Sequence, residues 1–283
     1  MSRGVIIFAQ NNAEIDYAQL AVFAAKRVKH FLNVPVTLIT DSGGWLLEST
    51  PDAKEIFDNI IDIWNPNDQF KKFNDGSLFG KNLKWNNFSR TDVFDYTPYD
   101  ETLVLDSDYI ISSDNLSKIW DNKQDFLIYR DSYDLAQWRN ATSFEYFNQH
   151  AIPFYWATAF YFKKTGINQS FFTLVKHIKN NWNYYRSLYL LESPTFRNDF
   201  AFSIAIHLMH DSIDNSFAGN LPGKMYYTLD KDFLLEIKDS KLKFLLEKEN
   251  YHGQYTLAKT ENLDIHVMNK FSLSRIINGA DNV

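Results

Sequence analysis

The run Val5-Ile6-Ile7-Phe8-Ala9 is apolar without alternation, and this constrains the fold more than any other feature of the chain. A strand with apolar side chains on both faces must be covered on both, as in a parallel sheet flanked by helices. After the polar turn Gln10-Asn11-Asn12, the segment Asp16 to Leu32 carries Leu20, Phe23, Ala24, Val28 and Phe31 at helical spacing. Lys26, Arg27 and Lys29 lie near its C-terminal end, where cations suit the helix dipole. Pro35 to Thr40 reads as a second strand ending at Asp41, with Ser42-Gly43-Gly44 as its turn. Strand, helix and strand make one βαβ unit, so the N-terminal half is predicted to be an α/β nucleotide-binding unit.

Further strands are predicted at Ile60 to Trp64, closed by Asn65-Pro66, and at Thr102 to Leu105, which runs into Asp106-Ser107-Asp108 and resumes as Tyr109-Ile110-Ile111. Leu83, Phe88 and Val93 give a weaker helical pattern from Leu78 to about Tyr96, carrying Lys84 and Arg90 and stopping before Pro98. Phe126 to Tyr129 and Phe160 to Phe162 read as strands separated by an aromatic, polar stretch from Asp131 to Trp156. Phe196 to His210 reads as a helix, Leu263 to Met268 as a late strand, and Asp230 to Glu249 as an amphipathic surface element.

Composition narrows the class. With 45% hydrophobic and 23% charged residues the chain is expected to fold. Lys plus Arg number 29 against 35 Asp plus Glu, a formal charge of -6 that disfavours a nucleic-acid partner. The absence of Cys excludes disulfides, thiolate metal sites and cysteine nucleophiles. With no secretory signal ahead of the first strand and no apolar stretch of membrane-spanning length, a cytoplasmic location and no membrane span are expected. Aromatics reach 17%, more than a core needs, so some are expected to line a carbohydrate or base site.

Asp106 and Asp108 are two apart, so on extended backbone their carboxylates point the same way and can share one cation. Mg2+ or Mn2+ is commonly held by one or two carboxylates plus phosphate oxygens, which suggests nucleotide-diphosphate chemistry. His266, in an apolar strand, reads as either a core histidine or a third ligand, and the upstream Asp pair favours the ligand. Asn198 and Asp199 open a predicted helix, as cap and dipole partner or as active-site groups. Arg90 is preferred over Lys84 as a phosphate contact because a guanidinium grips phosphate at two points. Trp138, Tyr146, His150 and Trp156 are divided between core and acceptor site.

In order and spacing these motifs resemble the retaining A-type glycosyltransferases, in particular the glycogenin and lipopolysaccharide-galactosyltransferase group, family eight. Phe8-Ala9-Gln10-Asn11-Asn12 with Tyr17 resembles that family's opening strand and nucleoside loop, and Arg90 its basic donor-site residue. Leu105-Asp106-Ser107-Asp108 resembles its metal motif, Trp156-Ala157-Thr158-Ala159-Phe160 its donor-sugar motif, Asn198-Asp199 its active-site motif, and Ile265-His266-Val267 its third metal ligand. Ala157-Thr158-Ala159 departs from the usual Asn-Ala-Gly, and Asn269-Lys270-Phe271 stands where a Gly and Lys-Pro-Trp are expected.

The resemblance implies a single A-type glycosyltransferase domain over 1–283, with a nucleotide-sugar half over about 1–125 and an acceptor half over about 126–283. It implies transfer, with retention, from a nucleotide-diphosphate sugar, a UDP-sugar foremost, to a hydroxyl acceptor. Asp106, Asp108 and His266 would hold Mn2+ or Mg2+. Ala9, Asn11, Tyr17 and Asp41 would contact the nucleoside side of the donor; Arg90, Ser107, Ala157, Thr158 and Lys270 would contact its diphosphate and sugar. Asn198 and Asp199 would be catalytic. Two other classes are kept open: a Mg2+-dependent phosphatase of the haloacid dehalogenase kind, whose Asp pair usually lies near the N-terminus, and a non-catalytic nucleotide-sugar-binding relative.

Overall fold

The N-terminal βαβ unit forms where its sequence predicts it in the computed structural model, which describes residues 1–63, 69–85, 89–139, 146–147, 152–210 and 217–280. Arg3–Ala9 pairs in parallel with Val36–Thr40 on one side and Glu101–Asp106 on the other. The helix between the first two strands, Tyr17–Leu32, is started by Asp16, whose carboxylate accepts from the Gln19 N–H. It is stopped by Asn33 in the left-handed conformation, φ 51°. The Ser42-Gly43-Gly44 segment is not a simple turn. It opens a short helix, Gly43–Ser49, and the Gly43 N–H donates to Asp62 Oδ1 at 2.9 Å. A Cβ on Gly43 would lie 2.5 Å from that carboxylate, so a larger residue would push Asp62 out of this hydrogen bond.

The full sheet runs Asn59–Asp62, Val36–Thr40, Arg3–Ala9, Glu101–Asp106, Trp156–Lys163, Phe126–Tyr129. Trp156–Lys163 is antiparallel to both of its neighbours, and the other strands are parallel to one another. The architecture is a Rossmann-like α/β sheet. Much of the aromatic content lies in this core. Phe126, Phe160, Phe162, Phe171, Phe172 and Phe202 are all fully buried. They join the sheet to the helices Gly166–Asn180 and Asn198–His210, with ring centroids 4.7 to 6.5 Å apart.

A second, smaller sheet, in the order Tyr109–Ile110, Ile265–Val267, Met225–Thr228, Ser132–Asp134, packs with a three-stranded antiparallel sheet. The latter comprises Phe233–Lys238, Lys241–Glu247 and Tyr255–Glu261. The region predicted as a surface element over Asp230 to Glu249 therefore supplies two strands. Leu242, Phe244 and Leu246 alternate inward and join Ile110, Ile265 and Leu273 in a second apolar cluster. Arg139 ties these parts together through bonds of 2.6 to 2.8 Å to the carboxylates of Asp134 and Asp232.

The helix predicted from Leu78 to Tyr96 is a second correction. Phe70–Asn74 and Gly80–Lys84 form a hairpin, followed by a 3-10 turn at Ser89–Asp92 and one helical turn at Val93–Tyr96. Gly76, at φ 80°, makes the reversal, and Phe73 and Leu83 anchor the hairpin in the second cluster. Trp64, Asn65, Pro66, Phe88 and His150 lie outside the described residues.

Candidate functional site

Register brings the site together. Asp106 ends its strand opposite Phe8, at the C-terminal edge of the parallel sheet. The chain turns through Ser107-Asp108 into Tyr109–Ile110, which pairs antiparallel with Ile265–Val267 so that His266 stands opposite Tyr109. The Val267 N–H donates to the Asp108 carbonyl at 3.0 Å, which fixes that register. One ligand atom from each of Asp106, Asp108 and His266 then lies within 4.8 Å of the others. His266 Nε2 faces Asp108 Oδ2 at 3.2 Å, and its Nδ1 has no hydrogen-bond partner among the described residues. Packing orients the ring instead: Trp156 meets it edge-on at 6.1 Å.

Cations sit on both carboxylates. Arg90 pairs with Asp106, and Lys270 Nζ lies 2.5 Å from Asp108 Oδ2. The two acids respond differently. Burial raises the pKa of Asp106, and the Arg90 charge offsets this only in part. Burial also opposes ionisation of Asp108, but Lys270 and His266 together outweigh it and hold that carboxylate well below the usual range. Tyr17 stands close enough that burial, then the charges of Asp108 and Asp106, keep its phenol well above its ordinary value. It stays a neutral donor.

A break in strand register builds the next wall. Trp156 is opposite Tyr129 and Phe160 opposite Ile128, so the residues between them bulge out of the ladder. Freed backbone groups of Ala157 are taken by site side chains. Its N–H donates to Asp199 Oδ1 at 3.0 Å, and its carbonyl accepts from Arg90 at 3.1 Å. Arg197 holds the other Asp199 oxygen at 2.7 Å. Asp199 is thus fixed from two sides at the start of the Asn198–His210 helix, with Asn198 buried beside it.

These groups open onto one cleft of about 310 Å³. Ten of the residues singled out from sequence line it: Tyr17, Arg90, Asp106, Ser107, Asp108, Thr158, Asn198, Asp199, His266 and Lys270. Four do not. Asn11 is occupied with the helix start, where its Oδ1 accepts from the Ala18 N–H at 2.9 Å and its Nδ2 donates to Asp16 at 3.0 Å. Asp41 is exposed and accepts from the Ser42 hydroxyl at 2.9 Å. Ala9 is buried in the core, and Ala157 acts only through its backbone. Trp138 and Tyr146 are exposed and outside the cleft lining, whereas Trp156 is part of it.

The lining also includes Lys71, Lys72, Lys84, Trp85 and Arg197. Sequence reasoning placed Lys84 on a helix surface and did not single out the others. The usable signal was the turn-forming Asn74-Asp75-Gly76-Ser77 between the short runs Phe70 to Phe73 and Gly80 to Trp85, a hairpin pattern.

No protein-family model and no curated protein matches the chain. Solved structures align with it at low identity. The glycosyltransferase GlyE of Streptococcus pneumoniae TIGR4 aligns over 78% of this chain and 45% of its own, at 14% identity and TM-score 0.45. The galactosyltransferase LgtC, solved with donor and acceptor sugar analogs, aligns over 71% and 70%, at 16% identity and TM-score 0.46. A putative glucose-1-phosphate thymidylyltransferase from Bacillus anthracis aligns over 100% and 96%, at 10% identity and TM-score 0.46. The chain thus spans less than half the length of GlyE. Among the described residues no helix is long and apolar enough to cross a membrane.

Proposed function

We propose that the chain transfers a sugar from a nucleotide-diphosphate sugar, a UDP-sugar foremost, to a hydroxyl acceptor, with retention at the anomeric carbon and with Mn2+ or Mg2+ held by Asp106, Asp108 and His266. One observation carries this: two carboxylates, an imidazole, a guanidinium and an ammonium converge at the C-terminal edge of a parallel sheet. That edge is where open α/β sheets bind their ligands. Two carboxylate oxygens and one imidazole suit a hard or borderline divalent cation that takes its remaining ligands from phosphate and water. When bound, such a cation supplies counter-charge for a departing diphosphate.

The chain's own groups do the rest. Arg90 and Lys270, aimed by the two aspartates, keep N–H donors to spare for phosphate oxygens. Asp199, pinned by the Ala157 N–H and Arg197, offers a negative group to an oxocarbenium-like sugar. Tyr17, Ser107 and Thr158 add hydroxyl donors along the donor path. Residues about 1–125 would serve as the nucleotide half and about 126–283, which include two strands of the main sheet, as the acceptor half of a single domain.

A panel of nucleotide sugars incubated with the protein and Mn2+ tests this. Donor-dependent release of nucleoside diphosphate is expected, falling roughly 10²- to 10³-fold in Asp108→Asn as charge stabilisation at the diphosphate is lost. Release of inorganic phosphate from simple esters would identify a phosphatase instead. Binding of nucleotide sugar without turnover would identify a non-catalytic relative.

A further inference from the structure

Lys71 lines the cleft from the hairpin of Phe70–Asn74 and Gly80–Lys84. It lies opposite Leu83 and shares a face with Phe73 and Leu83, the two side chains that anchor the hairpin in the second apolar cluster. Lys72 and Lys84 belong to the other face. The Lys71 ammonium is 5.1 Å from the Trp85 ring centroid and 5.9 Å from that of Phe73, which favours a fixed position beside the rings. The charges that reach it from the other walls are those of Lys270, Arg197, Asp199 and Asp230. It therefore faces both the end of the cleft where Lys270 holds Asp108 and the end where Arg197 holds Asp199.

Arg90, Arg197 and Lys270 each hold a carboxylate, on Asp106, Asp199 and Asp108. Lys71 makes no ion pair among the described residues, and Asp230 accepts instead from Asn74 Nδ2 at 2.6 Å. Crowding by the cleft walls, then the charges of Lys270 and Arg197, pull the Lys71 pKa down to about 8, and Asp199 and Asp230 offset this only in part. An ammonium so placed is stabilised by an anion set between it and Lys270.

In the transfer reading, negative charge grows there during the reaction. The bond from the anomeric carbon to the phosphate oxygen breaks with its electron pair on oxygen. The acceptor hydroxyl oxygen bonds to that carbon and its proton is released to solvent, so the diphosphate gains a negative charge. Arg90 and Lys270 are already shared with Asp106 and Asp108, which leaves Lys71 to meet the increment. We propose that Lys71 contacts the departing phosphate oxygen and stabilises the charge that forms on it, a further catalytic residue for the transfer reading on which this assignment rests.

Calorimetric titration of UDP with saturating Mg2+ into the wild type, Lys71→Gln and Lys71→Arg, at about pH 7 and about pH 9, tests this without turnover. At the lower pH, Lys71→Gln should bind UDP about tenfold more weakly or worse, and Lys71→Arg within about threefold of the wild type, since a charge-assisted contact is lost in one and kept in the other. Wild-type affinity should fall by up to about tenfold between the two pH values, because the free ammonium loses its proton above about 8 while the phosphate-bound one retains it. That fall should be absent from Lys71→Gln, which has nothing to titrate, and from Lys71→Arg, which stays charged. Any fall shared by all three proteins belongs to other groups and is subtracted. Lys71→Gln binding UDP as tightly as the wild type, or following the wild-type pH profile, would overturn the assignment and leave the transfer reading standing. Equal losses in Lys71→Gln and Lys71→Arg at the lower pH would trace the effect to hairpin packing and overturn it too. Failure of UDP to bind the wild type at either pH would instead remove the transfer reading, and this assignment with it.

Discussion

The strands of the main sheet all come from the first 163 residues, and its widest pairing joins Arg3–Ala9 to Glu101–Asp106. In the smaller sheet Tyr109–Ile110 must wait for Ile265–Val267, some 150 residues later. The candidate site draws on both. Asp106 comes from the first sheet, while His266 and Lys270 arrive only when the last part of the chain has closed onto it. The comparison teaches that the main store of stability and the completion of the site lie in different regions. Arg27 is one of the ties between them: from the first helix it donates to the Ile111 carbonyl at 2.5 Å and the Asp239 carbonyl at 2.8 Å.

The largest expected effects test where stability resides. Phe172→Ala, in the aromatic core, should cost ~3–5 kcal/mol, and Leu246→Ala, in the second cluster, ~2–5 kcal/mol with a value below that of Phe172→Ala. Urea unfolding of both variants measures this. A larger loss at Leu246 would move the main core to the second region.

Legibility followed the same division. Unbroken apolar runs such as Val5-Ile6-Ile7-Phe8-Ala9 gave away the parallel strands because burial on both faces leaves no room for polar residues. Asp106 and Asp108 were readable because the pair ends such a run. His266 needed an upstream partner to be preferred over a core histidine, since nothing in Ile265-His266-Val267 says what lies opposite. The hairpin carrying Lys71 and Lys72 was lost because each strand buries only one apolar side chain, too few to set a period. Asn11 and Asp41 lie in the loops that follow parallel strands, but neighbouring groups occupy their side chains, a local competition that spacing does not reveal. The helix Gly166–Asn180 lies outside the elements predicted from sequence, although Phe171, Phe172, Val175 and Ile178 mark its inner face.

A smaller effect sharpens the comparison within the second region. Asp264 accepts from the Ser112 N–H at 2.7 Å and the Ser113 hydroxyl at 3.1 Å, which joins the late strand to the segment after the Asp pair. Burial raises its pKa to about 6 despite those hydrogen bonds. The folded state therefore favours the neutral acid. The stability this contributes is fully present below about pH 4 and is lost as pH rises to about 6, with a slope of at most ~1.4 kcal/mol per pH unit. Asp264→Asn should flatten that portion of the stability profile. An unchanged slope would show that Asp264 is not its source.

The central claim is that Asp106, Asp108 and His266 hold a divalent cation that bridges the protein to a nucleoside diphosphate. Calorimetric titration of UDP into the protein, with Mn2+ and separately with chelator, tests it most directly. Affinity should be at least about tenfold higher with Mn2+, and Asp108→Asn and His266→Ala should each lose that gain, because a ligand bridged through a metal is thermodynamically linked to it. The same UDP affinity with Mn2+ and with chelator would contradict the account.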